Sequence, residues 1–438
     1  MTRILNRDVA AKIGEEVSVS GWLHKKRLMG GLNFITLRDR SGLLQTLVED
    51  KDQIEKLRGM QIGSVLTMTG QVAADDRAPG GAELHDVKVT VDVPVTDEPL
   101  IEVDKPISHK SEHLDTLFET RVLNIRNIQE QKIFKIRASL TRYIREFLTE
   151  KEFIEIDTPK LLAEATEGGA EVFKLDYFGK TATLAQSPQF FKQIMVGAFE
   201  RVFEIGHSYR AEPSATTRHL TECTMLDIEM GFVEDHEEVL DMVGDMTQYI
   251  LKRVYSEYAA DLKSLNAPDL KLPEDGKIPR FTIAEIHEMY TKANKTATID
   301  EKDLTPDEER WIGEYARKQL GTDLVFATRF PIVAGKFYHK LDVEDGTVLW
   351  GDMLYRGQEL ATCPLRENNY EKMLEQMKKA GLDVTHEGFK YYLQAFKYGL
   401  PQHGGCGFGV DRLVQKTIGL SNVKEACLFP RDINRINP

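Results

Sequence analysis

The sequence is short of the features that mark secreted, membrane or metal-clustered chains. Its 438 residues hold four cysteines. These are Cys223, Cys363, Cys406 and Cys427, scattered and without a C-x-x-C pair. Neither a zinc site nor a disulfide framework is indicated. No run approaches the ~18–20 apolar residues of a membrane span. The opening MTRILNRDVAAKIGEE carries early charge and lacks the apolar stretch of a signal segment. These absences lead us to expect a cytoplasmic enzyme with no membrane partner, in a reducing compartment. Positive charge is also in deficit. Lys and Arg total 57 against 70 Asp and Glu, giving a net charge of −13. A broadly basic coat for nucleic acid is excluded, but a local basic surface is not. Hydrophobic residues at 41% and charged residues at 29% are ordinary for a globular chain, which excludes collagen-like and disordered classes. The length allows about two or three domains.

What is present changes character along the chain. Residues 17–23 alternate apolar and polar side chains, the period of a half-buried strand. Further strand candidates are 33–37, 43–48, 64–70 and 82–93, with the turn Asp39-Arg40-Ser41-Gly42 between the first two. About five short strands in the first hundred residues predict a small β-barrel. Residues 105–132 read as a hinge or linker. Beyond it, Ile133, Ile136, Leu140, Ile144 and Phe147 recur every three or four positions, the stripe of an amphipathic helix. Strand-like runs at 153–156, 202–205, 224–232 and 324–327 alternate irregularly with helical stretches. The body from 133 to 438 is therefore read as α+β without regular βαβ repetition. Residues 235–320 are helix-rich and acidic and read as an insertion. Thr282 with Glu285 has capping-box spacing, and Thr305-Pro306 marks a second helix start, with Gly321 a plausible stop.

Two stretches carry chemistry. Arg210-Ala211-Glu212 to Arg218-His219-Leu220 forms a polar loop between two strand-like runs. Its arginines offer planar forks suited to phosphate oxygens. His403-Gly404-Gly405-Cys406-Gly407-Phe408-Gly409 leads into a helix that carries Arg412. The glycines let backbone approach a ligand. Neither stretch is a Walker loop, and no G-x-G-x-x-G opens a βαβ unit.

With the run 153–159 ending in Pro159, these stretches resemble motifs 1, 2 and 3 of the class II aminoacyl-tRNA synthetases, in order. Gln186-Ser187-Pro188-Gln189-Phe190-Phe191-Lys192-Gln193 resembles the QSPQ-x-x-K-Q segment of the aspartyl-tRNA synthetases, and Thr166-Glu167-Gly168-Gly169 that family's flexible loop. Leu428-Phe429-Pro430-Arg431-Asp432 also matches. Residues 21–45 resemble its anticodon-binding OB-fold. The length is similar to the archaeal/eukaryotic-type branch.

The resemblance implies a fold of two parts: an OB-fold barrel at 1–104, and at 133–438 a class II catalytic domain, an antiparallel sheet flanked by helices. It implies activation of L-aspartate by ATP to aspartyl-adenylate, then transfer to the 3′ end of tRNA(Asp). By resemblance, Arg210 holds the α-phosphate and Arg412 the γ-phosphate. Glu212 lies near adenine and Arg218 and His219 near the outer phosphates, with Leu220, Glu359 and Gly409 completing the ATP site. Glu359 and Thr362 match the Mg²⁺ positions. Lys192 and Arg366 match the cations that receive the aspartate side chain. Glu167, Glu171, Gln189, Asp227, Thr362 and His403 complete that pocket. In the OB-fold, Phe34 matches the aromatic that stacks the central anticodon base, with Arg27, Gln45 and Glu83 reading base edges. Lys25, Lys26 and Arg27 are a candidate phosphate contact. His24 stands where discriminating archaeal-type enzymes tend to carry tryptophan, implying that tRNA(Asn) is charged as well. The motif-1 helix and Pro159 imply a homodimer.

The chain departs from the family at two places. The usual G-G-Q before the pocket arginine is Cys363-Pro364-Leu365, and the second proline of P-P-H is Gln402. These changes keep two alternatives in view: an asparaginyl-tRNA synthetase, and a paralogue with an altered amino-acid pocket.

Overall fold

The computed structural model describes residues 2–30, 32–109, 113–163, 171–213, 216–295 and 302–437. Contacts divide the chain into two units, Met1–Gln131 and Lys132–Pro438.

In the first unit, the period-2 stretches become strands Glu16–Met29 (β1), Leu32–Asp39 (β2), Gly42–Leu47 (β3), Val65–Ala74 (β4) and Ala82–Val93 (β5). They pair in the order β1-β2-β3-β5-β4, and β4 closes back onto β1. This is a closed five-stranded barrel. One side chain of each alternating pair turns inward. Val17, Val19, Leu23, Ile35, Leu37, Leu66, Met68 and Leu84 form its core. The register of β1 against β2 shifts between Leu23 and Lys25, so His24 sits at a bulge, a device that re-aims a side chain. Helix Lys51–Arg58 (α1) follows β3, with Asp50 accepting the N–H of Gln53 as its cap. The stretch 105–132 read as a linker holds the short helices Leu114–Glu119 and Arg121–Asn124.

In the second unit, helix Ile128–Glu150 (α2) buries the expected stripe. Ile133, Ile136, Leu140, Ile144 and Phe147 all belong to the main apolar core. The strands of its main sheet are Ile154–Glu155 (β6), Arg201–Tyr209 (β7), Glu222–Gly231 (β8), Arg280–Thr282 (β9), Leu324–Thr328 (β10), Trp350–Tyr355 (β11), Glu359–Pro364 (β12) and His403–Gly409 (β13). They form one sheet in the order β9-β10-β11-β12-β13-β8-β7-β6. The pairings from β10 to β7 are antiparallel, and the edge strands β9 and β6 join in parallel.

Helices Gln189–Phe199 (α3), His236–Glu257 (α4), Ile283–Asn294 (α5), Pro306–Gln319 (α6) and Val410–Ile418 (α7) complete the elements used below. Both anticipated caps form. Thr282 with Glu285 and Thr305 with Glu308 make reciprocal capping boxes, the second with proline at the helix start. The acidic stretch 235–320 is in part integral to the body. Val239, Leu240, Val243, Met246 and Ile250 of α4 lie in the main core, and β9 lengthens the sheet. Sequence periodicity marks helices but does not tell an added helix from a core one.

Among the described residues, no helix is long and apolar enough to cross a membrane. All four cysteines are free thiols.

Candidate active site

The centre of the sheet sets the site. β7 and β8 pair from Arg201↔Met230 to Tyr209↔Glu222. β8 pairs on its other side with β13, from Met225↔Gly409 to Gly231↔His403. The Arg210 N–H donates to the Thr221 carbonyl at 2.9 Å, extending the hairpin one step into its loop. Arg412 occupies the first turn of α7, just past β13. Arg210 and Arg412, far apart in sequence, line one cavity of about 100 Å³ with Glu212, Arg218, His219, Leu220, Glu359 and Gly409. Every residue expected around ATP is on this wall.

The cations there differ in how they are paired. Arg210 stands 3.8 Å from Glu212, and His219 3.4 Å from the same carboxylate. Arg412 donates to the Glu359 carbonyl at 2.9 Å and lies 3.6 Å from its carboxylate. Arg218 pairs at 2.9 Å with Glu309 of α6, a partner the sequence did not suggest.

Beside this wall, Thr362 donates to Glu359 Oε1 at 3.4 Å. Asp352 of β11 lies opposite Thr362 in register. Burial, then the neighbouring Glu359 charge, pushes the Asp352 carboxyl well above its ordinary range. Its Oδ1 has no hydrogen-bond partner among the described residues. A buried acceptor without a donor, beside a second carboxylate and a hydroxyl, is an oxygen set suited to Mg²⁺, which takes its remaining ligands from water and phosphate. Among the described residues, no group of three or more His, Cys, Asp or Glu side chains gathers as a metal site. Sequence reasoning missed Asp352. Its signal was a lone acid inside the apolar run 350–355, every residue of which is buried.

The amino-acid residues form a tighter knot, which does not line that cavity. Lys192 of α3 donates from Nζ to Asp227 Oδ1 and to the Cys406 carbonyl, both at 2.9 Å, and lies 3.5 Å from Glu229 Oε2. Arg366 clamps Glu229 with Nε at 2.8 Å and Nη2 at 3.1 Å. Lys192 and Arg366 therefore do converge on one carboxylate. All four side chains are at most about 5% exposed. Burial opposes charge on Glu229, but Arg366 and Lys192 outweigh it and hold its carboxyl below the usual range. Glu229 was also missed. Asp227 and Glu229 are two apart on one strand and share a face, a pattern that in sequence looks like an ordinary solvated edge. A Cβ at Gly405 would stand 2.3 Å from Glu229 Oε2 and 2.0 Å from the Ile228 carbonyl, and one at Gly404 2.6 Å from Val239. These two glycines make room for the protein's own groups, where we expected room for a ligand.

The remaining pocket residues divide. Gln189 Nε2 donates to Gln193 Oε1 at 2.9 Å. His403 is fully buried, with Nδ1 2.8 Å from the Pro401 carbonyl and Nε2 2.8 Å from Gln193 Nε2. The carbonyl requires the proton on Nδ1, so Nε2 accepts, and burial lowers the ring's pKa. His403 thus supports the pocket through Gln193. Glu171 is exposed, and its carbonyl accepts the N–H of Ala211 at 2.7 Å; it is not in the Lys192–Arg366 knot. Glu167 lies outside the described residues.

In the barrel, Arg27 faces Phe34 across β1 and β2, and Phe34 faces Leu47. Gln45, two residues from Leu47, pairs with Glu83 of β5. Arg27, Phe34, Gln45 and Glu83 therefore share one face. The Gln45 amide donates to Glu83 at 2.8 Å. Burial, then Arg38, lowers the His24 pKa. The expected basic run is corrected at one position. Lys26 donates to the Leu57 and Arg58 carbonyls at 3.2 and 2.8 Å, tying down the end of α1, so it is not available as a phosphate contact.

Known protein families match both parts of the chain. Residues 113–433 match the family described as tRNA synthetases class II (D, K and N). Residues 17–93 match the OB-fold nucleic acid binding domain. The chain is 38% identical over 439 residues to the aspartate--tRNA(Asp/Asn) ligase of Thermus thermophilus, covering 100% of both chains. It is 37% identical over 432 residues to the aspartate--tRNA(Asp) ligase of Pyrococcus horikoshii, covering 97% of each. Asparaginyl-tRNA synthetase from Pyrococcus horikoshii complexed with asparaginyl-adenylate superposes with a TM-score of 0.91 at 30% identity, covering 100% of both chains. With Arg210 and Arg412 lining one cavity, Lys192 and Arg366 converging on the buried Glu229, and residues 113–433 matched, the chain belongs to the class II tRNA synthetases (D, K and N).

Proposed function

We propose that the chain is an aspartate–tRNA ligase, activating L-aspartate with ATP and transferring it to tRNA(Asp) and tRNA(Asn). The observation that carries this reading is the convergence of Lys192 and Arg366 on one buried carboxylate. Arg366 commits Nε and Nη2 to Glu229, leaving Nη1 for the substrate side chain, with the Lys192 ammonium alongside. A carboxylate in that place makes charge-assisted pairs with both cations that a neutral amide cannot make. Asp227 and Gln189 are assigned to the α-ammonium.

Arg210 and Arg412 are assigned to the α- and γ-phosphates. Their permanent positive charges neutralise the two ends of the triphosphate as charge develops on leaving pyrophosphate. Glu212 is assigned to adenine, and Arg218 and His219 to the outer phosphates. Glu359, Thr362 and Asp352 would hold Mg²⁺, which when bound would supply positive charge to neutralise phosphate oxygens.

The barrel face of Arg27, Phe34, Gln45 and Glu83 is assigned to the anticodon, where stacking on one aromatic contributes ~1–3 kcal/mol per base. His24 at its bulge supports the wider tRNA scope. A homodimer through α2, a boundary of anticodon and catalytic domains near 104–132, and a place in the cytoplasm complete the proposal.

ATP–pyrophosphate exchange with aspartate or asparagine, followed by charging of each tRNA, tests it. Exchange with aspartate and charging of both tRNAs are expected. Exchange with asparagine alone would assign the chain to the other amino acid. Charging of tRNA(Asp) alone would remove the His24 reading.

A further inference from the structure

The two departures from the family pattern do not fall in the same place. Cys363 and Leu365 pack into the main apolar core. Gln402 does not. It is half-buried just before β13, and its Nε2 donates to the Arg366 carbonyl at 2.7 Å and more weakly to the His403 carbonyl at 3.4 Å. Its Oε1 accepts from Lys340 Nζ. Lys340 in turn donates its backbone N–H to the Leu365 carbonyl at 2.9 Å. The Arg366 N–H goes to the His403 carbonyl at 2.9 Å. The backbone of Arg366 is therefore held on both sides, its N–H by His403 and its C=O by Gln402.

The amide has one workable orientation. An ammonium only donates, so it must meet Oε1. A carbonyl only accepts, so it must meet Nε2. Proline, usual in the family here, has neither group. Glutamate would keep the Lys340 contact but set its own oxygen against the Arg366 carbonyl.

We propose that Gln402, oriented by Lys340, is a positioning residue for Arg366 and sharpens aspartate binding in this chain. The tether acts on the backbone that carries the guanidinium, whose aim at Glu229 and at the substrate carboxylate tolerates little drift. This inference rests on the reading that Arg366 receives the aspartate side chain.

The test is pyrophosphate exchange by the full chain, varying aspartate at saturating ATP and then ATP at saturating aspartate. The variants are Gln402→Glu, Gln402→Ala and Lys340→Met, with thermal melts alongside. In Gln402→Glu and Gln402→Ala the aspartate KM should rise about tenfold, with kcat and the ATP KM within about twofold. Lys340→Met should move the aspartate KM the same way by less. A Gln402→Ala that fails to fold leaves the near-isosteric Gln402→Glu to decide. An unmoved aspartate KM in Gln402→Glu, or an ATP KM rising in parallel, would overturn the inference while leaving the functional reading intact. No exchange with aspartate by the unsubstituted chain would overturn both.

Discussion

The Arg210–Arg412 wall and the Lys192–Arg366 knot are built around the same central strands, yet Arg210 and Arg366 are held in opposite ways. Arg210 is 46% exposed and 3.8 Å from its carboxylate; Arg366 is 2% exposed and clamped through two nitrogens. Exposed, long ion pairs are weak and exchange readily for a better anion. Buried, bidentate pairs are rigid and cost several kcal/mol to break from one side. The difference would suit the two ligands proposed above. A triphosphate brings its own dense charge and can displace loose partners. An amino acid brings one side-chain carboxylate and needs a frame already in place.

The largest break should come on the buried side. Arg366→Lys replaces a fork by a point charge and leaves Glu229 half-compensated. A fall of about two to three orders of magnitude in kcat/KM for aspartate is expected, roughly 3–4 kcal/mol of lost transition-state stabilisation. On the loose side, Arg412→Lys should lower the exchange kcat by about 100-fold while the aspartate KM stays near its original value. Equal damage to the aspartate KM in both variants would erase the distinction drawn above.

Much of this frame is legible in sequence, for physical reasons that differ by residue. The barrel strands announce themselves by period 2, and Thr282–Glu285 and Thr305–Glu308 by cap spacing. These are local effects. Lys192 and Arg366 are legible by resemblance. Glu229 and Asp352 are not, because an acid alternating along a strand reads alike whether its face meets water or a buried arginine. Lys26 shows the converse: a basic run looks solvated until a helix end supplies the Leu57 and Arg58 carbonyls to one of its members. The helix α4 read as an insertion because amphipathicity reports that one face is covered and not by what.

A finer probe of the loose side is Glu309→Gln. Releasing Arg218 from its 2.9 Å partner should lower the ATP KM by about threefold, since a partly exposed pair contributes roughly a kcal/mol or less. A higher ATP KM would mean that Glu309 orients Arg218 for its ligand.

The smallest effect concerns Lys416, one turn beyond Arg412 on α7. Burial first, then Arg218, lowers its pKa to about 8 from an ordinary 10.5. Between those values the unfolded chain keeps a proton that the folded chain has shed. Stability contributed by this group therefore rises with pH across that window. Lys416→Met should abolish this rise, so the melting temperature of the unsubstituted chain should gain about a degree or two on the variant as pH climbs through the window. A constant difference would show that Lys416 keeps its proton throughout.

The most direct test is a crystal structure of the chain with a non-hydrolysable aspartyl-adenylate analogue. The analogue's side-chain carboxylate should lie within hydrogen-bonding distance of both Lys192 Nζ and Arg366 Nη1, with its phosphate against Arg210. A carboxylate bound away from either cation, or an asparaginyl analogue seated there with equal affinity, would contradict the account.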